Sequence, residues 1–194
     1  MSRFDNRSRV STYTQSWVSN ADPDFGAFES IATTLGTGSS ATISFTSIPA
    51  TYKHLQIRFI ARDADTEVGN NQFLQFNSDT GANYSWHILE ADGSTVTANG
   101  QASQSKMIAG RISAATATAG IMGVGIIDIL DYANTNKYKT IRTLSGQDRN
   151  GGGVARFDSG NWRNTAAVTS IQIINSSTTN YTTDSQFALY GIKG

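Results

Sequence analysis

The strictest constraint on this chain is a short run in which apolar and polar side chains alternate without a break. Leu55, Ile57, Phe59 and Ala61 fall on one side of an extended backbone, and His54, Gln56, Arg58 and Arg62 mostly fall on the other. Side chains of a β-strand point alternately to opposite faces, so this run is a strand with one face to bury and one to wet. Such a strand belongs to an antiparallel sheet covered on one side only. The fold must therefore supply a second layer.

The rest of the sequence supplies it. Strand-like runs fall at 28–35, 41–45, 72–76, 84–89, 106–112, 121–132, 138–144, 154–157, 168–174 and 186–192. Between them stand turn residues: Asn77-Ser78-Asp79-Thr80-Gly81, Asn134-Thr135-Asn136, and the run from Asp148 to Gly153. Asp92-Gly93 is a hairpin signal, and Pro49 ends the strand before it because proline donates nothing to a ladder. Residues 112–119 have the only helix-like composition, but the stretch is short and uncapped and reads as a loop or sheet edge. About eleven short strands, no amphipathic helix and no internal repeat predict an all-β fold, a two-sheet antiparallel β-sandwich of jelly-roll type over residues 27–194. At 194 residues the chain is long enough for a core that needs no staples, and it has no cysteine to form any.

Residues 1–26 read differently. Arg3, Arg7 and Arg9 are scattered among Phe4, Tyr13 and Trp17 without a period, and the stretch closes on Asn20-Ala21-Asp22-Pro23-Asp24. Aromatic anchors along a polar segment predict an extended N-terminal arm that orders on a neighbouring subunit. Basic residues with no apolar run behind them exclude a secretory signal peptide as the reading of this stretch.

Charge narrows the partners. Fifteen basic residues balance fifteen acidic ones, and charged residues make up 15% of the chain against the roughly 25% usual for globular domains. No basic stripe is available for a nucleic-acid backbone. No run of about 18 apolar residues is available for membrane insertion as a helix.

Catalytic chemistry finds little to stand on. His54 and His87 are the only histidines, both lie in strand text, and no Gly-x-Ser-x-Gly elbow accompanies them. The carboxylates fall almost entirely in turns, where aspartate caps its own backbone. The string Asp63-Ala64-Asp65-Thr66-Glu67 offers oxygen ligands at alternate positions for a calcium loop, but Val68 and Leu74 stand where an EF-hand needs glycine and glutamate. Gly36-Thr37-Gly38 and Gly120 to Gly125 lead into strands, not helices, and lack the lysine of a phosphate loop. The expectation is a protein without enzymatic activity, cofactor or resident metal. Among the aromatic residues Trp86, Tyr84, Tyr132 and Tyr138 read as a mixture of core and interface. Trp162, flanked by Asn161 and Arg163 in loop-like text, is the leading candidate for a glycan or partner contact, with Tyr181 beside it as a second aromatic.

Four segments carry a resemblance: Ser47-Ile-Pro-Ala-Thr-Tyr-Lys-His-Leu-Gln-Ile-Arg58, Asn83-Tyr-Ser-Trp-His87, Asp131-Tyr-Ala-Asn-Thr-Asn-Lys-Tyr-Lys-Thr140, and the ending Phe187-Ala-Leu-Tyr-Gly-Ile-Lys193. In this order they resemble a group of bacteriophage virion structural proteins of the tail-fibre and decoration type, common in marine and cyanobacterial phages. The resemblance spans roughly residue 28 to the end and is made of strand and turn text with no catalytic signature. It implies a sandwich that works in the virion, is assembled in the host cytoplasm and released by lysis. The implied partners are other virion proteins of tail or capsid, further copies of itself as a homo-oligomer such as a trimer, and a host surface glycan. The leading expectation is a knob of tail-fibre type attached through the arm; the alternatives are a capsid decoration protein and a carbohydrate-binding module.

Overall fold

The computed structural model describes residues 27–194, and the arm residues Arg3, Phe4, Arg7, Arg9, Tyr13 and Trp17 lie outside them. Twelve strands account for the regular structure. They are β1 (Phe28–Leu35), β2 (Thr42–Phe45), β3 (His54–Ala61), β4 (Gly69–Phe76), β5 (Tyr84–Ala91), β6 (Val96–Gln104), β7 (Met107–Ser113), β8 (Gly123–Leu130), β9 (Lys139–Asp148), β10 (Gly153–Trp162), β11 (Ile171–Asn175) and β12 (Gln186–Ile192). They form an eight-stranded sheet, β1-β12-β3-β8-β9-β10-β5-β6, and a four-stranded sheet, β2-β11-β4-β7, antiparallel throughout.

The pairing is nested. β1 pairs with β12, β2 with β11, β3 with β8, β4 with β7 and β5 with β6. First strands therefore meet last ones, as when a long hairpin is rolled into two layers, which is the jelly-roll path. β8, β9 and β10 are successive neighbours, and β10 then closes against β5, so these added strands widen the large sheet between β3 and β5. The alternation seen at 54–61 holds: Leu55, Ile57, Phe59 and Ala61 are buried while Arg58 and Ile60 are exposed. Phe59 fills the room left by Gly125, where a Cβ would lie 2.4 Å from the ring.

β6 has no counterpart in the strand text. Its sequence, VTANGQASQ, has no apolar period because neither of its faces is covered, so the signal of burial was never there to read. β10 runs to Trp162, five residues beyond the predicted strand, with consequences for the site. The hairpin at Asp92-Gly93 is present: Gly93 has a φ of 96°, and Asp92 Oδ1 accepts the amides of Ser94 at 2.9 Å and Thr95 at 2.7 Å.

Side-chain hydrogen bonds to backbone groups fasten the loops to the core. The Lys139 ammonium is wholly buried and donates to the carbonyls of Asn134 at 2.5 Å, Lys137 at 2.8 Å and Thr165 at 3.1 Å, using all three of its protons. Burial draws its pKa down, against the pull of Asp131. Arg62 gathers residues 115–121 by donating to the carbonyls of Ala115, Ala117, Thr118 and Ile121, so the helix-like stretch is a loop wrapped on a guanidinium. Tyr132 Oη donates to the Pro49 carbonyl and accepts the Tyr52 amide at 3.3 Å. The segments around 47–58 and 131–140 thus help to hold the fold together.

Trp162 is 1% exposed. Its ring stacks on Tyr84 at 6.2 Å and tilts against Phe76 at 5.5 Å, while Nε1 donates to Asp79 Oδ2 at 2.7 Å. Partial burial of the Asp79 carboxyl opposes ionisation, but the donors Trp162, Asn83 and the Gly81 amide outweigh it and the pKa is lowered. The half-buried Asp131 carboxylate is pulled down to about 2 by hydrogen bonds from Lys137 and Lys53. Carboxylates with depressed folded pKa values stabilise above the unfolded value near 4, and that stability drains away as the pH falls below it. Thermal melts are therefore expected to be level above about pH 5 and to fall below about pH 4. Asp79→Ala should cost about 2 kcal/mol at neutral pH, because the Trp162 N–H loses its acceptor in the core, and should flatten the acid limb.

Candidate functional site

The structure buries the two aromatic residues that the sequence offered for a partner contact. Trp162 and Tyr181 are both core residues: Tyr181 is fully buried, meets Phe187 edge-on at 5.1 Å and donates to Gln72 Oε1 at 3.1 Å. The loop-like text around Trp162 misled because β10 continues through it, and strand alternation turns Trp162 inward along with Gly160, Asp158 and Arg156. Asn161 and Arg163 stay near the surface, and Arg163 Nη2 donates to the Ala82 carbonyl at 2.7 Å.

The acidic loop does not gather its carboxylates round one point. Asp63 is buried and accepts Asn70 Nδ2 at 2.8 Å and Asn175 Nδ2 at 2.7 Å; the same Asn70 amide donates to Asp65 at 2.9 Å, and Glu67 is exposed. Donor amides thus occupy the Asp63 and Asp65 carboxylates of the calcium candidate at Asp63, Asp65 and Glu67. Among the described residues no group of three or more His, Asp or Glu is placed to hold a metal ion, and no helix is long and apolar enough to cross a membrane. His54 Nδ1 accepts the Asp131 amide at 3.0 Å, and His87 lies opposite Gly100 on the β5–β6 ladder.

What the tertiary structure brings together instead is an apolar half-face on the outside of the large sheet. In one row across it Ile126 stands opposite Leu144, Leu144 opposite Phe157, Phe157 opposite Leu89, and Leu89 opposite Ala98. In the adjoining row Ile60 faces Val124, followed by Gly146, Ala155, Ala91 and Val96. Leu144 is 65% exposed and Val96 70%, and Val124, Ile126, Leu89 and Phe157 are each 40% exposed or more. Two contiguous rows of such residues reach the several-hundred-Å² scale at which an apolar patch marks an interaction surface.

The half-face is hollowed at one end. The Asp92-Gly93 turn, Met122 and the glycines Gly151, Gly152 and Gly153 border an open trough of about 990 Å³ whose floor includes Val124, Ile126, Leu144 and Ala155. Beyond the apolar rows the same face turns polar: Asp128 binds Arg142 at 3.1 Å and accepts Gln56 Nε2 at 2.8 Å. The surface is divided into an apolar half and a hydrogen-bonded half. Asp92 and Asp148 stand among the residues lining the trough, and its floor of Val124, Ile126, Leu144 and Ala155 is suited to burying apolar surface.

Beneath the trough the interior is reversed. Arg156 is 2% exposed and Asp158 is fully buried, joined by Arg156 Nε to Asp158 Oδ1 at 2.5 Å. Arg156 Nη1 also reaches Asn71 Oδ1 at 2.7 Å and Glu90 at 3.4 Å, and Arg111 Nη1 donates to the same Asn71 oxygen at 3.2 Å. Ser113 donates to Gln147 at 2.7 Å nearby. Burial pushes the Asp158 carboxyl up, opposed by Arg156, and burial lowers the Arg111 pKa. With Arg156 and Asp158 turned inward, Ala155 and Phe157 must face out. The sequence signal for this was the pair of charges flanking Phe157, which alternation alone assigns to the wet face. The inner charges are kept there by each other and by Asn71 and Glu90.

No protein-family model, no curated protein and no solved structure matches the chain.

Removing one member of the buried pair strands the other. Asp158→Ala is expected to cost about 3–5 kcal/mol in denaturant unfolding, whereas Arg156→Met combined with Asp158→Leu should cost far less than the two single changes added together.

Proposed function

We propose that this chain is a non-enzymatic structural protein of a bacteriophage particle, a surface knob of tail-fibre type that joins its neighbours through the N-terminal arm and its apolar half-face. The observation that carries the reading is that half-face: two rows of exposed, largely aliphatic side chains running across neighbouring strands of the large sheet, with Arg58, Asp92 and Asp148 only at their borders. Such a surface is stable when a protein partner covers it. The chemistry of the trough favours contact over turnover. The virion context rests on the resemblance of residues 47–58, 83–87, 131–140 and 187–193 to phage particle proteins. A carbohydrate-binding role loses its main support with the burial of Trp162 and Tyr181.

Microscopy of particles carrying a labelled copy tests the placement. Label on the tail or its fibres supports the reading; label on heads would replace it with capsid decoration, and absence from particles would overturn both. Leu144→Ser with Phe157→Ser is expected to leave the melting temperature nearly unchanged, since both side chains are already wet. The same variant should bind less of an apolar-surface dye and fail to enter particles. Deleting residues 2–25 should likewise yield a folded sandwich that no longer joins them.

A further inference from the structure

β6 ends the large sheet, and its outer edge has no neighbour among the described residues. None of its nine residues is charged and none is proline, and residues 96–103 are all exposed. Sheets guard such edges with lysine, proline, bulges or very short strands. The other three edges here are guarded. β1 carries Glu29 and a bulge between Ser30 and Ala32, β2 has only four residues, and β7 carries Arg111 and faces a bulge between Asn71 and Phe73. β6 is interrupted only near its end, where the ladder slips between Tyr84 and Trp86. From Val96 to Gln101 the strand is a regularly paired, neutral template; beyond it β6 carries its own bulge, with Ser103 at a φ of 55°.

The direction of its free groups follows from the hairpin. Asp92 N–H donates to the Thr95 carbonyl at 3.2 Å, so alternate pairs commit the backbones of Thr97 and Asn99 to β5 and turn those of Val96, Ala98 and Gly100 outward. In agreement, the outward Gly100 N–H is met by its neighbour's side chain, donating to Asn99 Oδ1 at 2.7 Å, a contact that pairing with a second strand displaces.

We propose that this edge pairs with β6 of a second copy of the chain, antiparallel, so that one sheet runs unbroken through a twofold dimer. Identical antiparallel strands complement each other about such an axis. A register centred on Ala98 sets it against Ala98 of the partner subunit and sets Val96 against Gly100 of the partner subunit, bulky beside small, with no like charges opposed. A heterologous partner chosen by charge would find nothing on β6 to recognise, which leaves backbone pairing as the driving contact. Because Val96 and Ala98 end the two apolar rows, the dimer also joins two half-faces into one surface on the same side of the sheet. The inference stands apart from the particle reading, since it holds wherever the protein works.

Sedimentation of the full chain from low micromolar to millimolar concentration tests it, together with residue-resolved amide exchange. A concentration-dependent dimer is expected, with the Val96 and Ala98 amides slow in the dimer and fast after dilution. Ala98→Pro removes an outward donor at a position where an edge strand tolerates proline, and should weaken dimerisation at least tenfold. Asn99→Lys places like charges near the axis and should weaken it in a salt-dependent way, which carries the test if the proline variant misfolds. A monomer at every concentration, or a dimer indifferent to both variants, overturns the proposal. So do amides protected in a monomer, which would put residues 1–26 on the edge. Failure to find the protein in particles would leave the dimer result untouched.

Discussion

Which way β10 faces decides the character of this molecule. Arg156 and Asp158 pair between the sheets, and a strand cannot turn two alternate residues inward without turning their neighbours out. Phe157 and Ala155 therefore join Leu144, Ile126 and Leu89 on the outer face. An ion pair in a protein interior contributes little net stability once desolvation is counted, yet it is expensive to break. Its consequence here is geometric: it locks the orientation in which the large sheet shows an apolar surface.

The sandwich is correspondingly asymmetric along its strands. At one end the layers enclose Trp162, Tyr84, Phe76, Tyr132 and Met107, a dry core with its polar tips paired to Asp79, Pro49 and the Phe76 backbone. Burial there pushes the Tyr84 hydroxyl up to about 12, consistent with a group that donates and never ionises. At the other end the layers enclose Arg156, Asp158, Asn71, Gln147 and Ser113, while the solvent side carries the aliphatic residues. The dry end gives the domain its stability, and the reversed end gives it a surface worth covering. The uncharged edge of β6 adjoins that surface, so the two features most open to association are neighbours.

The nested pairing of β1 with β12 through β5 with β6 explains how a chain with few local contacts closes at all. The loops that return the chain are held by single side chains: the buried Lys139 on three carbonyls, Arg62 on four, and Asn77 Oδ1 on the amides of Thr169 and Ser170. These anchors bridge segments distant in sequence, which is why turn text that looked generic matters to the architecture.

The sequence by itself determined that this is a two-layer all-β protein. The period of two from Leu55 to Ala61, the turn residues at Asp92-Gly93 and the absence of any amphipathic helix are local properties, and local patterns suffice to set element type. It could not reveal β6, because a strand buried on neither face leaves no apolar period. Nor could it show that Trp162 is core and Phe157 is surface. Both residues belong to one strand, and which of its faces is inward depends on partners far away in the chain, Asp79 and Tyr84 for the first and Asn71 and Glu90 for the reversed charges. Alternation fixes which residues share a face; only the packed layers decide which face meets water.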